Sequence, residues 1–298
     1  AFNKHFKNIN PDDKYYWEIF RDNGIESAIK DLADKKNSIV TKEIKENTDY
    51  FLFTASLVQS SDDIVITFHN ITSIKQMELL KKEFVANASH ELKTPLTAIN
   101  GFLETIENET DLSAISHYLG IIKKHSLRLS RIVTDLLSLS EMENKKNFEL
   151  TPVRLENIIT NTLSLFSGKI DSEKISLKFI KQDGQDYTIN ANEFYIEQMI
   201  LNLIENAVRY TEKGEITVKL DKKDRQVILS VSDTGIGIAQ EHLSRIFERF
   251  YVVDKARSRK TGGTGLGLSI VKYIVNNHNA SIEVSSRQHF GTTFTIKF

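Results

Sequence analysis

The sequence contains no cysteine. That excludes a disulfide framework and any thiolate metal site, and it suits a reducing compartment. An excess of charge is also missing: 39 Lys and Arg offset 40 Asp and Glu, for a net charge of -1. Such a balance gives no bulk attraction to nucleic acid or to a membrane surface, so no nucleic-acid partner is expected. No apolar run approaches the ~18 residues of a spanning helix, and no signal peptide opens the chain. The chain as given reads as soluble. Ala1, with no initiator methionine before it, is expected to lie inside a longer protein. Internal repeats and low-complexity tracts are absent too. What remains is 298 residues, 40% of them apolar, enough for two or three cores at roughly 150 residues per domain.

Residues 1–72 read as a small mixed domain. Pro11-Asp12-Asp13 turns into a helical stretch around Tyr15–Phe20, and two β-rich runs follow at Tyr50–Ala55 and Ile64–Phe68, with Ser60–Asp63 as the hairpin turn between them. From Ile74 the period becomes helical. Met77, Leu80, Phe84, Ala88, Leu92, Leu96, Ile99, Leu103 and Ile106 recur at steps of three and four. After a polar break at Asn108–Asp111, a second stripe runs through Ile115, Leu119, Ile122, Ser126, Leu129, Val133, Leu136 and Ser140. Two long stripes joined by a short loop predict an antiparallel helical hairpin. One hairpin buries its stripe on one side only, so a homodimeric four-helix bundle is expected. Asn144–Asn147 reads as a linker. Residues 148–298 then alternate strands, at 175–181, 215–221, 225–232, 280–286 and 292–298, with helices at 153–170, 193–210 and 267–278: an α/β sandwich.

The segment Ser89-His90-Glu91-Leu92-Lys93-Thr94-Pro95 lies on the first stripe. His90 is two residues from both Ala88 and Leu92, about 200° around a helix, so its ring should face solvent. A neutral imidazole has a nitrogen lone pair able to attack phosphorus. Glu91 is placed to hold the other ring N–H and fix the tautomer. Thr94, one turn on, is placed to orient a water for the reverse chemistry. Pro95 removes a helical hydrogen bond, which predicts a kink beside the nucleophile. The histidines at 5, 69, 117, 125, 242, 278 and 289 have no such neighbours and read as ordinary structural or surface residues.

Three further segments carry phosphate-type chemistry. Asn202 and Asn206 project from one face of a helix, and an amide oxygen there suits Mg²⁺ where a triphosphate supplies the remaining charge; Arg209 and Tyr210 continue that surface. Asp233-Thr234-Gly235-Ile236-Gly237, followed by Ile238, ends an apolar strand. Its carboxylate can accept from an adenine amine, and its glycines admit a flat base. Gly262-Gly263-Thr264-Gly265-Leu266-Gly267 precedes a helix and offers bare backbone N–H groups to phosphate. It lacks the Gly-Lys-Ser/Thr of a Walker loop and the dinucleotide spacing Gly-x-Gly-x-x-Gly. Between the glycine segments, Phe247–Phe250 and the basic run Lys255–Lys260, with Lys255 and Arg257 as phosphate contacts, suggest a cover over the site. Each segment alone reads equally as ordinary loop or helix surface; their occurrence in this order is the strong signal.

In these segments the chain resembles the sensor histidine kinases of two-component signalling, from about residue 76 to the end. The resemblance implies a multidomain α+β protein: a phosphotransfer hairpin at 73–147 that dimerises and carries His90, and a catalytic α/β sandwich of Bergerat type at 148–298 that binds Mg-ATP. It implies autophosphorylation of His90, transfer to an aspartate on the receiver domain of a response regulator, and phosphatase activity toward that regulator through Glu91 and Thr94. Residues 1–72, ending in His69-Asn70-Ile71-Thr72, are similar to the C-terminal part of a PAS sensor domain whose first strands are missing. The family also implies a cytoplasmic portion of a bacterial membrane protein, anchored through segments outside this chain. Two positions depart from the pattern. Val252 stands where an arginine often reaches the phosphates, so either Arg257, Arg259 or Lys260 supplies the charge or phosphate binding is weaker. Asn192 stands where aspartate is common, and caps a helix equally well.

Two other readings compete. A conformational ATPase of the same fold carries a glutamate four residues before its Mg²⁺ asparagine to activate water. Here that position is Asn202, and Glu205 should point about 100° away from Asn206. A non-enzymatic dimeric binder would need a decayed ATP site, and apart from Val252 no segment shows decay.

Overall fold

A computed structural model describes residues 25, 29, 30, 32, 34, 39–46, 48–58, 63–144, 149–166, 168, 170–171, 173–224, 226–254 and 262–298. The helical stretch at Tyr15–Phe20, the turn residues 60–62, linker residues 145–147 and the basic run Lys255–Lys260 lie outside them. The chain divides into two compact units, Ala1–Val85 and Ala86–Phe298.

In the first unit, β1 (Ile39–Glu46), β2 (Asp49–Val58) and β3 (Asp63–Asn70) form an antiparallel meander in the order β1-β2-β3. Alternation along β2 buries Phe53 and Ala55 against Ile25, Ile29 and Leu32. Phe68 meets Phe53 edge-to-face at 5.4 Å. Sequence reading missed β1, whose alternating Lys and Glu show little apolar signal. The sheet passes into α1 (Thr72–Glu107) through Thr72, whose Oγ1 accepts from the Tyr50 N–H at 2.8 Å and whose N–H donates to Asn70 Oδ1 at 2.9 Å.

The second unit holds the rest of α1, then α2 (Leu112–Asn144), and the α/β layers. Both long helices and the break between them stand where the periodicity predicts. Phe102 stacks on Tyr118 at 5.7 Å, fixing the antiparallel hairpin. The predicted α2 stripe divides. Ile115, Ile122, Leu129 and Leu136 are half-buried, whereas Leu119 and Val133 stay exposed, and Ile132, Leu139 and Met142 are fully buried instead. The physical reason is a second contact surface: the Tyr273 hydroxyl donates to Met142 O at 2.8 Å, so the C-terminal half of α2 packs on the α/β layers.

Those layers comprise β4 (Thr151–Arg154), α3 (Leu155–Ser164), β5 (Ile175–Ile180), β6 (Thr188–Ala191), α4 (Glu193–Tyr210), β7 (Gly214–Lys223), β8 (Gln226–Asp233), α5 (Gly267–Asn277), β9 (Ser281–Arg287) and β10 (Gly291–Lys297). The main sheet has the order β5-β7-β8-β10-β9; β5 pairs parallel to β7 and the other neighbours are antiparallel. β4 and β6 form a separate two-stranded pair. Period-two burial turns Ile216, Val218, Leu220, Leu229, Val231 and Ile296 to one face. That face meets Ile196, Leu203 and Ile204 of α4 and Ile270 and Ile274 of α5, all at 1% exposure or less. At about 1.5–3 kcal/mol per buried aliphatic side chain, this layer is the main stabilising element. The predicted helix 153–170 is corrected to Leu155–Ser164. Residues through Arg154 pair as a strand, and Leu165 and Phe166 close the helix with three-residue turns to Thr162 and Leu163.

Candidate active site

α4 begins at Asn192, whose side chain accepts from the Tyr195 N–H at 3.3 Å, as an N-cap should. Helical spacing then puts Gln198, Asn202 and Asn206 on one face, bordering a cleft of about 390 Å³. Asn202 Nδ2 donates back to Gln198 O at 3.0 Å, and Asn206 Oδ1 accepts from Arg209 Nη1 at 3.4 Å. Arg209, Tyr210, Gly263, Thr264, Gly265 and Gly267 border the same cleft. Leu266 is fully buried beneath the loop. The glycine loop is held open for ligands by backbone geometry. Gly265 has φ +73°, its carbonyl accepts from the Phe250 N–H at 2.9 Å, and a Cβ there would lie 2.7 Å from the Phe250 carbonyl carbon. α5 follows directly with no side-chain cap, so its first N–H groups remain available to an anion.

Asp233, Gly235, Gly237 and Ile238 do not border the cleft itself, but they join it through Tyr210. The register of β8 against β10 sets Asp233 opposite Thr292. Its carboxylate accepts from the Gly235 N–H at 2.8 Å and from the Thr292 backbone, and burial raises its pKa against those bonds. A Cβ on Gly235 would lie 2.3 Å from Tyr210 O, so only glycine lets this loop approach the end of α4. Ile236 N–H donates to Tyr210 O, and Ile238 N–H to Ser286 Oγ at 2.8 Å. Tyr251 and Val252 also border the cleft, and Tyr251 is tied to His242 Nδ1 at 2.7 Å. Lys255 and Arg257 lie outside the described residues.

On the hairpin, His90 is exposed, as the helical arithmetic predicts, and does not border the cleft. The expected Glu91–His90 pairing is corrected. Glu91 Oε2 accepts from Arg128 Nη2 at 2.8 Å across the hairpin, not from the His90 ring. A charged guanidinium outcompetes a neutral imidazole N–H for a carboxylate. Thr94 Oγ1 donates to His90 O at 3.0 Å, leaving its lone pairs toward solvent. Pro95 is buried and α1 continues through it.

Sequence reasoning missed the contribution of α2. Leu127, Ser130, Arg131, Thr134 and Asp135 border the cleft from the hairpin side. Thr264 Oγ1 donates to Asp135 Oδ2 at 2.8 Å, and Arg131 Nη1 to Gly262 O at 3.3 Å. Burial raises the Asp135 pKa; it is opposed first by the Thr264 bond and then by Arg131. Burial lowers that of Arg209. The only sequence signal for these contacts is a run of polar residues on α2 off its apolar stripe. Glu205 also borders the cleft, despite its offset from Asn206.

A two-layer sheet whose helix face carries paired asparagines, beside a glycine loop and a helical hairpin with an exposed histidine, defines an ATP-binding domain joined to a phosphoacceptor. The family model described as Histidine kinase-, DNA gyrase B-, and HSP90-like ATPase matches residues 191–298, and that of the His Kinase A (phospho-acceptor) domain matches residues 80–145. The chain is 34% identical over 274 residues to Sensor protein SrrB of Staphylococcus aureus (strain MRSA252), covering 88% of this chain and 46% of that protein. It thus spans about half the length of the curated relatives it matches. Among solved structures, the Acinetobacter baumannii histidine kinase AdeS matches with TM-score 0.55 and 27% identity, over 70% of this chain and 96% of that one. Full-length ShkA in complex with AMPPNP matches with TM-score 0.52 and 26% identity, over 72% of this chain and 45% of that one. The chain belongs to the sensor histidine kinases.

Proposed function

We propose that the chain transfers the γ-phosphoryl group of ATP to His90 and then to an aspartate of a response-regulator receiver domain. The observation that carries this reading is the exposed imidazole of His90 in the same compact unit as the asparagine and glycine-loop cleft. The likeness to a kinase solved with AMPPNP supports nucleotide in that cleft. A neutral ring nitrogen of His90 attacks the γ-phosphorus, the bond to the ADP oxygen breaks, and the ring proton passes to solvent. Asn206 would hold a Mg²⁺ ion through its amide oxygen, which keeps a second lone pair beside the one that accepts from Arg209 Nη1, with phosphates and water as the remaining ligands. That ion would neutralise charge developing on the phosphates. Because His90 does not border the cleft, transfer requires the catalytic layers to move toward it.

We further assign residues 1–72 to a partial PAS-like sensor, 73–147 to the phosphotransfer hairpin and 148–298 to the catalytic domain. The hairpin pairs with a second copy. Thr94 positions water for dephosphorylating the regulator, and the whole protein sits at the bacterial membrane through segments outside this chain. With Mg-ATP labelled at the γ position, acid-labile label should appear on the chain and vanish in His90→Gln. Glu205 at the cleft edge supports one competing reading, hydrolysis. Steady phosphate release with no labelled protein would establish it and overturn transfer.

A further inference from the structure

We propose that Arg131, on hairpin helix α2, is a phosphate-contacting residue of the nucleotide site and takes the place left without a cation at Val252. The proposal deepens the kinase reading and rests on it. Among the described residues bordering the cleft, the cations are Arg131 and Arg209. Arg209 is half-buried, and its Nη1 donates to Asn206 Oδ1 at 3.4 Å, which turns that edge of its guanidinium toward the asparagine. Arg131 is exposed, and its Nη1 lies 3.3 Å from Gly262 O, at the start of the glycine loop whose N–H groups suit phosphate. A guanidinium at that point has four further N–H donors for phosphate oxygens.

The charges around it fit an exchange of partners. Asp135, one turn along α2, and Glu205, on α4, both act electrostatically on Arg209, and Asp135 also feels Arg131. Two arginines and two carboxylates leave the set neutral, with Asp135 Oδ2 accepting from Thr264 in the loop itself. A triphosphate entering beside Thr264 meets that carboxylate as a like charge and Arg131 as an opposite one. Nucleotide therefore draws Arg131 onto phosphate and displaces Asp135 from the loop. Affinity for ATP then depends on where the hairpin helix α2 stands.

The test is calorimetric titration of the full chain with ATP and with adenosine, using wild type, Arg131→Ala, Arg131→Lys and Asp135→Asn. Charge-assisted hydrogen bonds of this kind predict ATP affinity roughly tenfold weaker or more in Arg131→Ala, with partial recovery in Arg131→Lys and adenosine affinity changed less than about twofold. Asp135→Asn should bind ATP more tightly. ATP affinity in Arg131→Ala within about twofold of wild type, or an equal loss for ATP and adenosine, would overturn the assignment. Unchanged ATP affinity in Asp135→Asn would overturn the exchange. Wild type that binds no ATP would instead remove the nucleotide reading, and this inference with it.

Discussion

His278 shows how a single side chain can set a pH limit on the fold. It is buried, with Nδ1 donating to Ile274 O at 2.8 Å and Nε2 accepting from the Asn192 N–H at 3.0 Å. Protonation would turn Nε2 into a donor facing a donor, at the cap of the helix that carries the asparagines. Burial lowers its pKa below the ordinary value of 6.5. A depressed histidine stabilises the fold fully above its unfolded pKa, and that contribution is lost as pH falls from there through the folded pKa. Thermal unfolding followed from pH 8 to 5 should therefore show a decline below about pH 6.5. The decline should be shallower in His278→Gln, and identical slopes in both proteins would refute the assignment. Thr94 tests the chemistry at the same scale. Its hydroxyl only caps the exposed His90 carbonyl, and alanine is a better helix former, so Thr94→Ala should leave α1 intact. Autophosphorylation should persist while dephosphorylation of the regulator falls. Loss of both together would remove the water-orienting role.

At the scale of elements, what could be read from the sequence followed the strength of the periodic signal. α1, α2 and α4 each show long regular apolar spacing, and the sequence predicts α4 over 193–210, the bounds it has. The sequence predicts the five strands of the main sheet to within about two residues, because each carries alternating or continuous β-branched residues between turn signals. β1, β4 and β6 were missed for separate reasons. β1 carries Lys42 on one face and Glu43 and Lys45 on the other, so charge interrupts its apolar alternation. β4 and β6 are four residues each, pair only with one another, and include Pro152 and Asn190. The asparagine and glycine segments of the site were legible because helix spacing and glycine chemistry are local. Arg128, Arg131 and Asp135 were not. Their partners Glu91, Gly262 and Thr264 lie 37 to 131 residues away, and pairing across such distances leaves no periodic trace.

Within the whole molecule, the hairpin leaves apolar surface that the described residues do not cover. On α2, Leu112, Leu119 and Val133 are exposed by 81%, 52% and 42%, and on α1, Leu96 and Leu103 by 49% and 45%. These positions fall on heptad steps, the spacing that keeps a seam facing one partner along a helix. The other side of the same helices is occupied within the chain: Tyr118 stacks on Phe102, and Ile132, Leu139 and Met142 are buried. A helix with two apolar stripes needs two partners, and the second stripe suits another copy of the hairpin, whose surface is self-complementary under two-fold symmetry. Sedimentation velocity should then give a dimer of the 34.1 kDa chain. Leu103→Glu combined with Leu119→Glu should shift it to monomer while circular dichroism keeps its helical signal, because both residues are exposed within one chain. Wild type that sediments as a monomer at micromolar concentration would mean that those stripes face water. His90 would then stand on an isolated hairpin rather than on a bundle.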